Sequence, residues 1–221
     1  MTCRAVVPFY FDFISPYSWL ALMQAEAFAE RHGIRWQPRP VVYAALLQAH
    51  GLIGPVETPA KRRYTFRDVE RCAAAIGVRL SGPPAHPFRS LEALRVQYLF
   101  REESLALRLA ASLADACWGQ GRALTDLEVI REVVAAVGLD ADALEQRSAS
   151  PEIKAGLRAQ TDDAVRRGVF GVPTFVLEDE LFWGHDRLEP LAARLDGRLP
   201  PPGPRSRELL ERPRGVERKR C

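Results

Sequence analysis

The sequence predicts an α/β protein, a four-stranded mixed sheet with an all-helical block inserted into its middle. Three observations lead there. Strand-like alternation, a helical pattern and renewed alternation occupy residues 5 to 42 in turn. Nothing between Lys61 and Gln146 carries a strand pattern. A helix, two short apolar runs around a turn and a last helix then precede a Pro/Arg-rich tail.

Each element has its own warrant. From Ala5 to Phe13, Phe9, Phe11 and Phe13 alternate with Tyr10, Asp12 and Ile14, the two-residue period of a strand. Pro16 to Arg31 is helical in spacing, with Leu20, Met23, Ala27 and Phe28 on one side and His32-Gly33 as its stop. Ile34 to Val42 alternates again. Strand, helix and strand with short connections make a βαβ unit, whose strands run parallel through a right-handed crossover. Tyr43 to Ala49 is a short helix, and residues 50 to 58 form a loop. Lys61 to Ile76 is an amphipathic helix stopped by Gly77, and Ser81 to Pro87 is a proline-rich turn. Ser90 to Trp118 is almost wholly helical, followed by Thr125 to Val137 and Asp142 to Gln146. Ser150-Pro151-Glu152 starts a helix that runs to about Arg167. Gly171 to Leu177 and Leu181 to Gly184 form a hairpin around Glu178-Asp179-Glu180, and Arg187 to Leu195 closes the fold. Residues 1–58 and 147–199 are thus expected to form a discontinuous sheet domain, and 59–146 the helical insertion. Residues 200–221 lack core-forming side chains and are expected to be a disordered basic tail. This order of elements is the one expected of a thioredoxin-like fold as elaborated in DsbA-like proteins.

Composition narrows the function. A chain of 221 residues, nearly half hydrophobic, supports a proper core. No apolar run approaches a membrane span and no signal peptide is evident, so a cytoplasmic location is expected. From Arg205 onward seven Lys or Arg face three Glu, which accounts for the net charge of +3 and leaves the rest near neutral. That body is not expected to bind nucleic acid. Cys3, Cys72, Cys117 and Cys221 lie far apart, which excludes a C-x-x-C redox pair and a zinc site of ordinary spacing. No metal is expected.

The chemistry concentrates at Phe9 to Leu20, FYFDFISPYSWL. Here a strand runs straight into a helix, with Ser15 at the N-cap and Pro16 at the first helical position. Free backbone N–H groups and the helix dipole favour an anion at this end. Ser15-Pro16-Tyr17-Ser18 has the spacing of a thioredoxin C-x-x-C with both cysteines replaced by serine. Such a serine shuttles no electrons, but it can donate a hydrogen bond to a thiolate carried by a ligand. N-capping alone also accounts for Ser15.

FDFISPYSWLA, GVFGVPTFV near residue 170 and FWGHDRLE from residue 182 together resemble the 2-hydroxychromene-2-carboxylate isomerases and their relatives, the kappa-class glutathione transferases. The likeness spans roughly residues 5 to 196. It implies glutathione as cofactor and Ser15 as the catalytic residue that hydrogen-bonds its thiolate. It also implies Val172-Pro173 as the cis-proline site that pairs with the cysteinyl unit, and Lys61 at the glycyl end. Asp186, with the backbone of His185, is implied to hold the γ-glutamyl end; family members often carry Asn or Ser at 185. Asp186 is equally accounted for as a helix cap, and the two roles are compatible. Where the family usually has asparagine after the glycine, this chain has Leu52, replacing a hydrogen bond by an apolar surface. Tyr17, Leu52, Arg89 and Trp118 are expected near the substrate, although Trp118 is equally a core aromatic. The substrate carboxylate is left to Lys61, Arg62 or Arg89. A homodimer is implied by the resemblance alone.

The reaction so implied is cis–trans isomerisation of a small aromatic-degradation intermediate by reversible thiolate addition. The alternatives are a kappa-type glutathione transferase or peroxidase acting on hydrophobic electrophiles, and a non-catalytic glutathione- or peptide-binding module. Thiol–disulfide exchange is excluded by the two serines.

Overall fold

The computed structural model describes residues 5–102, 104–213 and 215. Its sheet has the order β2–β1–β3–β4, formed by β1 (Val6–Phe11), β2 (Arg35–Pro40), β3 (Thr174–Leu177) and β4 (Glu180–Trp183). β1 and β2 are parallel, whereas β3 runs antiparallel to both β1 and β4. Between β1 and β2 lies α1 (Pro16–His32), completing the expected βαβ unit; Gly33 ends the helix at φ 63°, where a side chain would be strained.

β1 stops at Phe11, two residues short of the expected end. The Asp12 carboxylate turns back to accept from the Ile14 N–H at 3.1 Å and leaves the ladder. β3 likewise starts at Thr174 rather than Gly171, because Pro173 has no N–H to give a ladder.

Strand alternation sorts the core onto two faces. On one, Phe9, Trp36 and Phe175 pack ring against ring, with centroids 4.8–5.5 Å apart. Burying rings of this kind is worth roughly 2–3 kcal/mol each. Trp36 also donates its indole N–H to Ala25 at 2.7 Å, tying β2 to α1. The opposite face carries Tyr10, Val172 and Val176. They are covered by Leu46 of α2 (Tyr43–His50) and by Ala164 of a later helix.

The helical stretch comprises α3 (Pro59–Ala75), α4 (Leu91–Leu99), α5 (Ala106–Trp118), α6 (Leu127–Val137) and α7 (Leu144–Ser148). The nearly continuous helix expected from Ser90 to Trp118 is broken between Leu99 and Ala106. The Gln97 side chain bridges the break by donating to Ala106 at 3.0 Å. α5 packs onto α1 and α6 onto α5, so their apolar residues join the core of the sheet's first face.

Ser150 caps α8 (Pro151–Arg166) as expected, its hydroxyl accepting from the Ile153 N–H. A 3-10 turn at His185–Arg187 leads into α9 (Leu188–Leu195). The tail departs from expectation in part. Pro204–Leu210 forms α10, although every described residue from 200 onward is exposed. Cys3 and Cys221 lie outside the described residues. Cys72 and Cys117 are free thiols, and burial pushes the Cys117 thiol up to about 12. Among the described residues no helix is long and apolar enough to cross a membrane, and no cluster of side chains could hold a metal ion.

Candidate functional site

Ser15 sits where β1 gives way to α1, with extended backbone angles of −91° and 117°. Its Oγ accepts from the Ser18 N–H at 3.2 Å, so it does cap the helix. Its own proton faces the Val172 carbonyl at 3.4 Å, beyond the usual O–H···O range of roughly 2.5–3.0 Å. A hydroxyl held so loosely can turn to a stronger acceptor. Pairing of Phe9 with Phe175 and Tyr10 with Thr174 is what carries Val172 to the start of α1. The Val172–Pro173 peptide is cis, and the Pro173 carbonyl accepts from the Gly184 N–H at 2.9 Å.

These residues open onto a cavity of about 680 Å³. Of the residues singled out in the sequence, Ser15, Tyr17, Lys61, Val172, Pro173, His185 and Asp186 all line it. Tyr17 stacks on the His185 ring at 5.0 Å and 15°, and its hydroxyl donates to Asp68 of α3 at 2.9 Å. Burial and that carboxylate push the Tyr17 hydroxyl well above its ordinary value, so it stays protonated. Burial pulls His185 down instead, so the stacked imidazole is neutral. Asp186 pairs with Arg187 at 3.0 Å, both about half exposed. Gly184 permits this arrangement. At φ 116° a Cβ would be strained and would sit 2.5 Å from Asp186 Oδ1.

Three expected substrate contacts lie elsewhere. Leu52 follows α2 as an exposed side chain outside the cavity. Arg89 points to solvent and pairs with Glu92 at 3.0 Å. Trp118 is fully buried, because its indole N–H donates to the Phe13 carbonyl at 2.8 Å beneath the Ser15 turn. Its role is to support the turn from below.

The structure also adds residues that sequence reasoning missed. Asp12 is 2% exposed and accepts from Ser90 Oγ at 2.6 Å, the Tyr43 N–H at 2.9 Å and the Ile14 N–H. Burial pushes its carboxyl above the usual carboxylate range, and these donors pull it back. His86 Nε2 lies 3.0 Å from the Ile14 carbonyl. A carbonyl only accepts, so Nε2 carries the proton and Nδ1 is bare, and Nδ1 is buried without a partner. The ring is framed edge-on by Phe66 and Trp118, and burial lowers its pKa. Asp12, His86 and Trp118 thus hold the Ser15 turn by both its N–H and C=O groups. Tyr43 at the start of α2 lines the cavity too. One signal could have found it: in a parallel pair, the segments leaving β1 and β2 emerge at the same sheet edge. A larger hollow of about 810 Å³ between α1, α5 and α6 contains none of the expected site residues.

A parallel–antiparallel sheet whose first helix begins at a Ser-x-x-Ser turn, opposite a cis-proline, defines a thioredoxin-fold protein without redox cysteines. The DSBA-like thioredoxin domain family matches residues 6–196. A 2-hydroxychromene-2-carboxylate isomerase from Sphingobium xenophagum is 34% identical over 191 residues, 86% of this chain and 97% of its own. A solved structure of a 2-hydroxychromene-2-carboxylate isomerase superposes with a TM-score of 0.81 at 29% identity, covering 92% of this chain and 98% of its own. Glutathione S-transferase kappa 2 from Caenorhabditis elegans is 28% identical over 211 residues, 87% of this chain and 92% of its own. The chain belongs to the 2-hydroxychromene-2-carboxylate isomerase family of DsbA-like thioredoxin proteins.

Proposed function

We propose that this protein is a glutathione-dependent isomerase of conjugated, aromatic-derived small molecules resembling 2-hydroxychromene-2-carboxylate. The observation that carries the reading is the Ser15 hydroxyl, loosely held at a helix N-terminus across from Val172 in the wall of one cavity. The donor set fits glutathione. Val172 stands ahead of the β3 ladder with backbone groups for an extended peptide, while Lys61 and Asp186 offer opposite charges for the tripeptide's two ends. Glutathione, when bound, supplies a thiolate that adds reversibly to a conjugated double bond and so frees rotation about it.

The chain's own groups do the rest. Ser15 turns its proton from Val172 to the sulfur, and the α1 dipole favours the negative charge there. The neutral His185–Tyr17 stack forms an apolar flank, and the cavity volume lies within the ~300–1,000 Å³ of ordinary small-molecule sites. The kinship to a protein named as a kappa glutathione S-transferase supports a second reading, transfer to hydrophobic electrophiles in the same cavity.

The test is turnover of 2-hydroxychromene-2-carboxylate with and without glutathione, alongside Ser15→Ala. We expect turnover to need glutathione in catalytic amount and to fall about 10²-fold in the variant, the scale of one lost anion-stabilising donor. Consumption of glutathione with release of an adduct would favour the transferase. Turnover independent of both glutathione and Ser15 would sink either reading.

A further inference from the structure

Tyr43, in the cavity wall, carries a hydroxyl with no hydrogen-bond partner among the described residues. Tyr43 begins α2 with its backbone N–H anchored on the buried Asp12 carboxylate at 2.9 Å, and it lines the same cavity as Ser15. Its neighbour Tyr17 spends its hydroxyl on Asp68. The Tyr43 hydroxyl pairs with no group among the described residues. Nor is it one of their sealed-in, unpartnered polar atoms, which are Ser18 Oγ, Trp19 Nε1, His86 Nδ1 and Gln97 Oε1. The hydroxyl is therefore open to solvent, and its residue is part of the cavity wall. The same cavity has apolar lining from Ile14, Pro55 and Val56. Burial and the negative charges of Glu57 and Asp12 lift Tyr43 to about 12, so it keeps its proton throughout the physiological range.

We propose that Tyr43 is the oxygen-recognising donor of this cavity, giving its O–H to a carbonyl oxygen conjugated to an aromatic ligand held against the apolar wall. The proposal rests on the small-molecule reading above and names the group that would select its substrate. An aromatic hydrocarbon leaves the donor unpaired, whereas a conjugated ketone, aldehyde or acid satisfies it. It also bears on rate. When any nucleophile bonds to a double bond conjugated with a carbonyl, the π pair moves towards the carbonyl oxygen. A fixed O–H donor there stabilises the growing negative charge. When the nucleophile leaves, the pair returns, and no proton need be lost from Tyr43.

The probe is 4-(dimethylamino)cinnamaldehyde, whose absorption moves to the red when its carbonyl oxygen accepts a strong hydrogen bond. It is titrated into the full-length protein without glutathione. We expect a red shift with the unaltered protein, and in Tyr43→Phe loss of that shift with affinity roughly tenfold weaker. Phenylalanine keeps the ring and leaves the backbone N–H on Asp12, and near-ultraviolet circular dichroism checks the fold. Calorimetry should give the same glutathione affinity for both proteins. An unshifted spectrum in the unaltered protein, or a shift that survives in Tyr43→Phe, would overturn the proposal. Failure of the unaltered protein to bind glutathione would overturn the isomerase reading, while the aldehyde spectra still decide the role of Tyr43.

Discussion

Asp12 is buried, carries the highest concentration of hydrogen bonds near the site, and touches no ligand position. Three donors from three segments converge on it: the Ile14 and Tyr43 N–H groups and the Ser90 hydroxyl. Asp12→Ala strands all three in the interior. It is expected to cost about 3 kcal/mol in urea unfolding, from the penalty of unsatisfied buried donors. His86 makes a different prediction. Its pKa is lowered in the folded protein, so below its ordinary 6.5 the unfolded chain binds more protons than the folded one. Stability is therefore complete above pH 6.5 and is lost as pH falls from there towards the lowered folded value. His185 adds a loss of the same sign. His86→Gln, whose amide can still donate to Ile14, should flatten the acid side of a melting-temperature profile. His86→Phe should flatten it too but start from a lower plateau. A profile unchanged in both would contradict the neutral, buried assignment.

At the scale of elements, the segment from Trp183 to Arg187 shapes one cavity wall. Gly184→Ala forces a side chain into a backbone region that is essentially glycine-only, and against Asp186. We expect a loss of about 2 kcal/mol in stability and weaker glutathione binding, both readable by calorimetry. The elements themselves were largely legible. The Ser-Pro starts of α1 and α8 and the αL glycine after α1 are local signals, and the structure shows each where the pattern put it. The break after Leu99 was not, since no glycine or proline marks it and apolar spacing continues on both sides. Ser15 and Val172 were legible because they occupy motifs. Trp118 was left open between pocket and core, and Tyr43 and His86 were missed, for one physical reason. Periodicity says that a side chain points inward, but only tertiary packing decides whether inward means core or cavity.

At the scale of the molecule, one core joins β1, β2 and β3 to α1, α5 and α6, whereas the described residues of the tail contribute nothing to it. Removing residues 200–221 is therefore expected to leave the melting temperature within about 1 °C and the affinity for glutathione unchanged. A larger fall in a scanning calorimeter would show that α10 docks in solution.

The turn that presents Ser15 is braced from outside the sheet. Ser90, His86 and Trp118 reach it from 72 to 105 positions further along the chain. A half-made molecule, its strands paired but its helices not yet docked, would own Ser15 without the contacts that brace its turn. The geometry of the turn is thus a property of the finished fold rather than of the strand and helix that carry it.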